Sequence, residues 1–248
     1  MAFRHSWRIE AERKPSANGP SRLAMRFETS NPMTDAKTPS DSLKTILARM
    51  ESIKGNGAVN RPEPDHANEI ARLMLGWNAP RRQSDKTDLD FSGEWGETLA
   101  KVKAKLGTGF LIALHGLHGG GKTQLAVELM RHQIQRRIKS ALFTTSTEFF
   151  IGVKATYRQD AQRSEADYVE TFCRPALLVV DEIEKRGQSE WENGLLFHLF
   201  NRRYNAVKDT LLISNLAADD LAGHLGTALV SRLNETGGMI HANWKSRR

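Results

Sequence analysis

Three features of the sequence predict a three-layer α/β domain built around a parallel sheet. The apolar runs FLIAL at 110–114 and LLVV at 177–180 lack polar alternation, as strands covered on both faces do. From Phe110 onward, strand and helix candidates alternate. The glycine-rich stretch GLHGGGKT at 116–123 falls where an apolar run gives way to an amphipathic one, the position of a strand-to-helix turn.

Taken in order, strands are expected at 110–115, 141–145, 176–181, 210–214 and 238–242. Helices are expected at 122–138, 147–157, 164–173, 189–206 and 218–233, the last broken at Gly223 or Gly226. Upstream, Trp95 to Leu106 reads as a further helix, and the polar stretch 78–92 reads as a linker. Ile70, Leu73, Met74 and Trp77 share one face of a short helix over 67–77. Leu43, Ile46, Leu47, Met50 and Ile53 do the same over 42–54, with Ser40 or Ser42 as N-cap. Two short helices bury little alone, so they either pack on the main body or offer a stripe to a partner. Residues 1–40 are rich in Pro, Ser, Asn, Arg and Thr without periodicity and are expected to be disordered, with Met25 or Met33 as alternative starts. The expected organisation is thus a disordered segment 1–40, a small helical partner-binding region and linker 41–85, and the α/β domain 86–248. The sequence shows no internal repeat.

The chain has 248 residues, enough for one sizeable core plus an appendage. With 26% charged and 39% hydrophobic residues a soluble globular class is expected. Lys and Arg total 36 against 29 Asp and Glu, and the excess of +7 is compatible with a nucleic-acid partner. Cys173 is the single cysteine, which excludes an internal disulfide or a cysteine zinc cluster and fits a reducing, cytoplasmic setting. No apolar run approaches the roughly 20 residues that span a bilayer, so no membrane association is expected. The N-terminus has no apolar core of the secretory type, so no targeting peptide is expected.

The chemistry starts at the glycine loop, which fits G-x-x-x-x-G-K-[ST]. Gly116, Leu117, His118, Gly119, Gly120 and Gly121 form the loop, and Lys122, Thr123 and Gln124 open the helix after it. Backbone N–H groups converge on phosphates only where side chains are absent, which explains the glycines. The helix N-terminus adds partial positive charge. Lys122 is placed to reach the β- and γ-phosphates, and the Thr123 hydroxyl to bind Mg²⁺. The second half of such a site is an acid at the end of a buried strand, and ALLVVDEI at 176–183 supplies it. Asp181 is the second Mg²⁺ residue, through the ion's water shell. Glu182 is placed to orient or deprotonate an attacking water.

Asp followed by Glu points to nucleotide hydrolysis. No N-K-x-D base-reading motif occurs, which weighs against a GTPase, and no lid or acceptor pocket suggests a small-molecule kinase. In TLLISNL, Ser214 and Asn215 lie at the carboxyl end of the fourth strand, where Asn215 can position water. Arg232, in GTALVSRLNETGG, is flanked by Leu229 and Leu233 as inward anchors and is expected to aim off the domain. It is either a finger completing a neighbour's site or a surface arginine.

From about Phe91 to Arg248, GLHGGGKT, LLVVDEI, LLISN, LGTALVSRL and NWKSRR occur in an order that resembles the AAA+ ATPase core of the DnaC/IstB family. The first two motifs are shared by many ATPases, and the last combination is more specific. The resemblance implies a P-loop domain with a five-stranded parallel sheet ordered 5-1-4-3-2, ATP as the nucleotide, and ring or spiral self-association on single-stranded DNA. It makes Arg232 the finger and Arg248, with Arg247 as substitute, a nucleotide-sensing residue. It places a DNA-contacting insertion after strand two, where Lys154, Tyr157 and Arg158 supply cations and a stacking ring. It implies a helicase loader whose N-terminal helices grip a replicative helicase. Alternatives are an IstB-like transposition helper sharing the same core and a nucleotide-gated adaptor with little hydrolysis. A replication initiator is disfavoured, since no helix-turn-helix module follows within the 248 residues.

Overall fold

The computed structural model describes residues 66–244, apart from Thr87, Ile138 and Lys139. The expected disordered segment 1–40 and helix 42–54, the alternative starts, and Arg247 and Arg248 lie outside the described residues. The elements run α1 His66–Gly76, α2 Arg81–Ser84, α3 Gly93–Lys105, β1 Leu111–His115, α4 Lys122–Gln135, β2 Ala141–Thr145, α5 Ser146–Ala155, α6 Glu165–Cys173, β3 Leu177–Asp181, α7 Glu190–Asn205, β4 Asp209–Ile213, α8 Ala218–Leu225, α9 Thr227–Thr236 and β5 Gly238–His241. A 3₁₀ turn at Ile183–Lys185 follows β3.

All strand pairs are parallel, in the order β2-β3-β4-β1-β5, which is the expected order read from the other edge. Alternate strand residues face opposite layers. Ile112, Leu114, Val179, Leu211 and Ile213 pack with α1, α3 and α4. Leu111, Ala113, Leu178, Val180 and Leu212 pack with α5 to α9. Burial on both faces is why FLIAL and LLVV carry no polar alternation. The break in the last long helix is at Gly226, whose φ of 81° an L side chain rarely adopts.

Two local readings change. The boundary expected after residue 85 moves upstream, because α1 is built into the body: Met74 and Trp77 are buried in the core, and the Phe143 N–H on β2 donates to the Trp77 carbonyl at 2.8 Å. The stretch 78–92 is not a free linker, since α2 packs on α4. Gln124 Nε2 donates to the Gln83 carbonyl at 3.1 Å, and an Arg131 guanidinium nitrogen to the Ser84 carbonyl at 2.9 Å. Helical periodicity shows which side of a segment is apolar but not what covers it.

Arg203 at the end of α7 is a core residue. Fully buried, it donates to the carbonyls of Phe172, Cys173, Pro175 and Asp209 and to Thr210 Oγ1, and burial pushes its pKa down to about 10. The Asp209 carboxylate accepts from the N–H groups of Gly107, Gly109 and Phe110, which fixes the entry to β1. Among the described residues no helix is long and apolar enough to cross a membrane.

Candidate active site

The carboxyl ends of β1, β3 and β4 open onto a cavity of about 1090 Å³. Its wall comprises the glycine loop, the start of α4, Asp181 and Glu182, Ile213 and Asn215, the 83–95 segment, and Asn243 and Trp244.

The loop's composition follows from its backbone. Gly116, Gly119 and Gly121 have φ of 127°, 87° and 77°. A Cβ on Gly116 would also meet the His241 ring at 3.1 Å and the Ala242 carbonyl at 3.2 Å. Gly121 caps the N-terminus of α4. Two indole N–H groups hold the loop from outside: Trp95 donates to the Gly121 carbonyl at 3.2 Å, and Trp244 donates to the Gly120 carbonyl. The two indoles thus fix two carbonyls of the loop, and a loop of this composition can turn its backbone N–H groups toward an anion. His118, Gly119, Gly121, Lys122, Thr123 and Gln124 line the cavity. Gly116, Leu117 and Gly120 do not. Leu117 exposes its side chain, while the Gly116 and Leu117 carbonyls accept from Lys122 Nζ at 2.7 and 2.8 Å. Burial pushes the Lys122 amine pKa down, and Asp181 and Glu184 act in the opposite sense.

Thr123 Oγ1 donates to Asp181 Oδ2 at 2.7 Å, so these two residues, 58 positions apart, meet at one point. Burial raises the Asp181 carboxyl pKa, against the Thr123 hydroxyl and the Glu182 N–H. A hydroxyl and a buried carboxylate this close are a donor set suited to a hard cation such as Mg²⁺, whose charge would favour the ionised carboxylate. The residues present therefore fit the ion.

Glu182 adopts φ 51° and ψ 47°, a left-handed conformation uncommon for a residue with a side chain. Its N–H donates to Asp181 Oδ1 at 2.7 Å, and its carbonyl accepts from Ser146 Oγ at 2.6 Å. Asn215 also faces the cavity, and its side chain is held by a residue that sequence reasoning missed. Asn215 Nδ2 donates to Glu184 Oε1 at 2.8 Å, and Ser214 Oγ donates to Glu184 Oε2 at 3.0 Å. Burial works against the Glu184 carboxylate. The hydrogen bonds from its own N–H, Asn215 and Ser214 outweigh burial and lower its pKa. Trp95, Trp244 and Gln83 were also missed as site residues. Asp-Glu-Ile-Glu at 181–184 was visible as sequence, but nothing local says that the 3₁₀ turn swings Glu184 onto β4's end.

Arg232 lies away from this cavity on α9, with Leu229 and Leu233 buried beneath it as expected. It does not project off the domain. Its guanidinium lies 5.1 and 5.3 Å from the Phe197 and Tyr204 rings and donates to Asn201 Oδ1 at 2.7 Å and to the Ala228 carbonyl at 2.9 Å. Aromatic faces on the neighbouring α7 attract a cation more than open water does. Lys154 lies in the last turn of α5, and Tyr157 and Arg158 lie just beyond its end at Ala155, so they do not share one helical turn.

A strand, glycine loop and helix, an acid on β3 across the intervening β4, and the order β2-β3-β4-β1-β5 define a P-loop protein of the AAA+ fold. A family model described as IstB-like ATP binding protein matches residues 88–248, and the chain belongs to that family. It is 26% identical over 134 residues to the replicative helicase loader DnaC of Escherichia coli K12, covering 54% of each chain. It is 26% identical over 135 residues to the uncharacterized protein YdaV of the same strain, covering 54% of this chain and 53% of YdaV. The chain thus spans about half the length of the curated relatives it matches. Among solved structures, the DnaC helicase loader aligns with a TM-score of 0.53 at 21% identity, covering 68% of this chain and 98% of that one. AMPPCP-bound DnaA from Aquifex aeolicus aligns at 0.52 and 20% identity, covering 65% and 50%. These structural likenesses show the shared fold.

Proposed function

We propose that this chain is an ATP-hydrolysing switch that loads a replicative helicase onto single-stranded DNA. The observation that carries the reading is the convergence of Lys122, the Thr123–Asp181 pair, Glu182 and Asn215 on one cavity, in a chain with sequence similarity to a helicase loader. The loop N–H groups and Lys122 bind the triphosphate, Lys122 exchanging its loop carbonyls for phosphate oxygens. Thr123 and Asp181 hold Mg²⁺, which when bound neutralises charge on the phosphate oxygens. Asn215, steadied by Glu184, orients a water, and Glu182 accepts its proton. The water oxygen bonds to the γ-phosphorus as the bond to the β–γ bridging oxygen breaks, leaving ADP and phosphate. Arg232 serves a neighbouring subunit, after leaving its seat on Phe197 and Tyr204. The Lys154, Tyr157 and Arg158 face meets DNA, and the region ahead of the AAA+ core contacts the helicase. Arg248 or Arg247 senses the nucleotide.

A second reading, a transposition helper, is favoured by the IstB-like family match. Affinity capture on the full chain with ATP, offering a purified replicative hexameric helicase and a transposase, separates the two. Retention of the helicase, with release on hydrolysis, is expected. Retention of the transposase alone assigns the second reading. Absence of ATP turnover with and without single-stranded DNA overturns both and leaves a binding adaptor.

A further inference from the structure

Beside the large cavity lies a smaller recess of about 260 Å³, between α3, α4 and the segment that joins α2 to α3. One side of it is a face of α4, where Glu128, Arg131 and His132 recur at helical spacing. Lys103 of α3 and the Phe91 ring also line it. Three fixed cations, Lys86, Lys103 and Arg131, thus surround the recess with a single carboxylate, that of Glu128. This carboxylate is already engaged: Glu128 Oε1 lies 3.4 Å from Arg131 Nε and accepts from Gln124 Nε2 at 3.2 Å. Among the described residues, Lys86 and Lys103 make no ion pair. Phe91 is half exposed, at 51%, and Lys103 Nζ stands 5.8 Å from its ring centroid.

We propose that this recess binds a nucleoside monophosphate, as an effector site distinct from the large cavity. A concave surface lined by charge of one sign concentrates its field on an anion. An inorganic anion would need the cations alone. The exposed Phe91 ring adds a flat apolar face, on which a base can stack while its phosphate reaches Lys103 or Lys86. The volume is just below the roughly 300–1,000 Å³ of ordinary ligand pockets, which suits one base with one phosphate better than a triphosphate. The recess is also tied to the nucleotide site. Lys86 and Leu89 line both cavities, and the start of their segment is pinned to α4 through the Gln83 and Ser84 carbonyls. Filling the recess therefore bears on one wall of the large cavity, and each ligand changes the affinity of the other by the same factor. The recess stands by itself, and only this coupling rests on the large cavity being the ATP site.

The test is equilibrium dialysis of labelled AMP against the full chain already saturated with a non-hydrolysable ATP analogue. AMP should be retained with the analogue still in place. Adenosine, which lacks the phosphate, and ribose 5-phosphate, which lacks the base, should each bind roughly tenfold or more weakly. Lys103→Ala should cost AMP a similar factor and leave analogue affinity without AMP unchanged. Phe91→Leu should shrink the preference for AMP over ribose 5-phosphate. As AMP rises, analogue affinity should shift by a factor that levels off. A shift that grows without limit is competition at the large cavity and overturns the second site. So does a wild type that retains no AMP, a result that needs no variant to fold. Equal retention of AMP and ribose 5-phosphate overturns the nucleotide and leaves plain anion binding. AMP affinity unchanged in both variants overturns the placement in this recess. An analogue that fails to bind overturns the ATP reading of the large cavity, and AMP retention then still decides the recess.

Discussion

The Ser146 hydroxyl donates a 2.6 Å hydrogen bond to the Glu182 carbonyl, joining the first residue of α5 to the acid beside Asp181. The same helix carries Lys154 in its last turn and leads directly into Tyr157 and Arg158. If DNA binds this face as proposed, a displacement of α5 would pull on a residue already held in a left-handed conformation. Ser146→Ala is expected to leave ATP affinity unchanged and to lower DNA-stimulated turnover about fivefold, the value of one hydrogen bond of roughly 1 kcal/mol. Steady-state hydrolysis with and without single-stranded DNA measures it. An equal loss in both conditions would reduce the bond to a simple support of Glu182.

Lys122 is buried, and its amine is committed to two loop carbonyls. Lys122→Ala should weaken ATP binding by about 10–150-fold, the range of a charge-assisted hydrogen bond to phosphate. The thermal transition without nucleotide should remain cooperative. Calorimetric titration with ATP decides it, and an unchanged affinity would remove this cavity as the phosphate site.

Glu184 and Asn215 are expected to act as a unit. Glu184→Ala frees the Asn215 amide, so each single substitution should lower turnover with little change in KM, and the double variant should be little worse than either. Coupling of about 0.5–3 kcal/mol across the cycle is expected for residues in direct contact. Strict additivity would show that Asn215 acts without its partner.

Arg232 is seated on α7 by Phe197, Asn201 and Tyr204. If it completes a neighbour's site, Arg232→Ala should bind ATP normally and lose assembly-stimulated turnover by about 10³–10⁵-fold. Mixing experiments sharpen this: Arg232→Ala combined with Lys122→Ala should recover turnover, since each chain supplies what the other lacks. No recovery would place the arginine's role within its own chain.

His224 is buried, with Nε2 donating to the Ile183 carbonyl at 3.1 Å, and its neighbours include Arg186 and Glu184. Burial lowers its pKa below the ordinary 6.5, and Arg186 adds to the effect. The unfolded chain therefore takes up a proton near pH 6.5 that the folded chain refuses until lower pH. Stability should fall as pH drops below about 6.5, and His224→Gln should flatten that dependence. Melting temperatures from roughly pH 7.5 to 5 test the slope.

Much of the frame was legible because it is encoded locally. The glycines of 116–121, the Lys-Thr pair after them and Asp181 at the end of LLVV declare themselves by type and spacing. Phosphate binding needs bare backbone, and a doubly covered strand needs unbroken apolar residues. The strand order was reached by resemblance, and the register is consistent with it.

What the sequence by itself determined, then, is the class of domain, the glycine loop suited to phosphate and the acids set against it, because these follow from composition within a few residues. The tertiary structure alone decided that Glu184 holds Asn215 from 31 positions away, that two indoles grip the loop, that α1 belongs to the body, and that Arg232 rests on α7. The physical reason is that amphipathic periodicity and charge specify a demand for burial or pairing, and only the packed chain determines which distant group meets it.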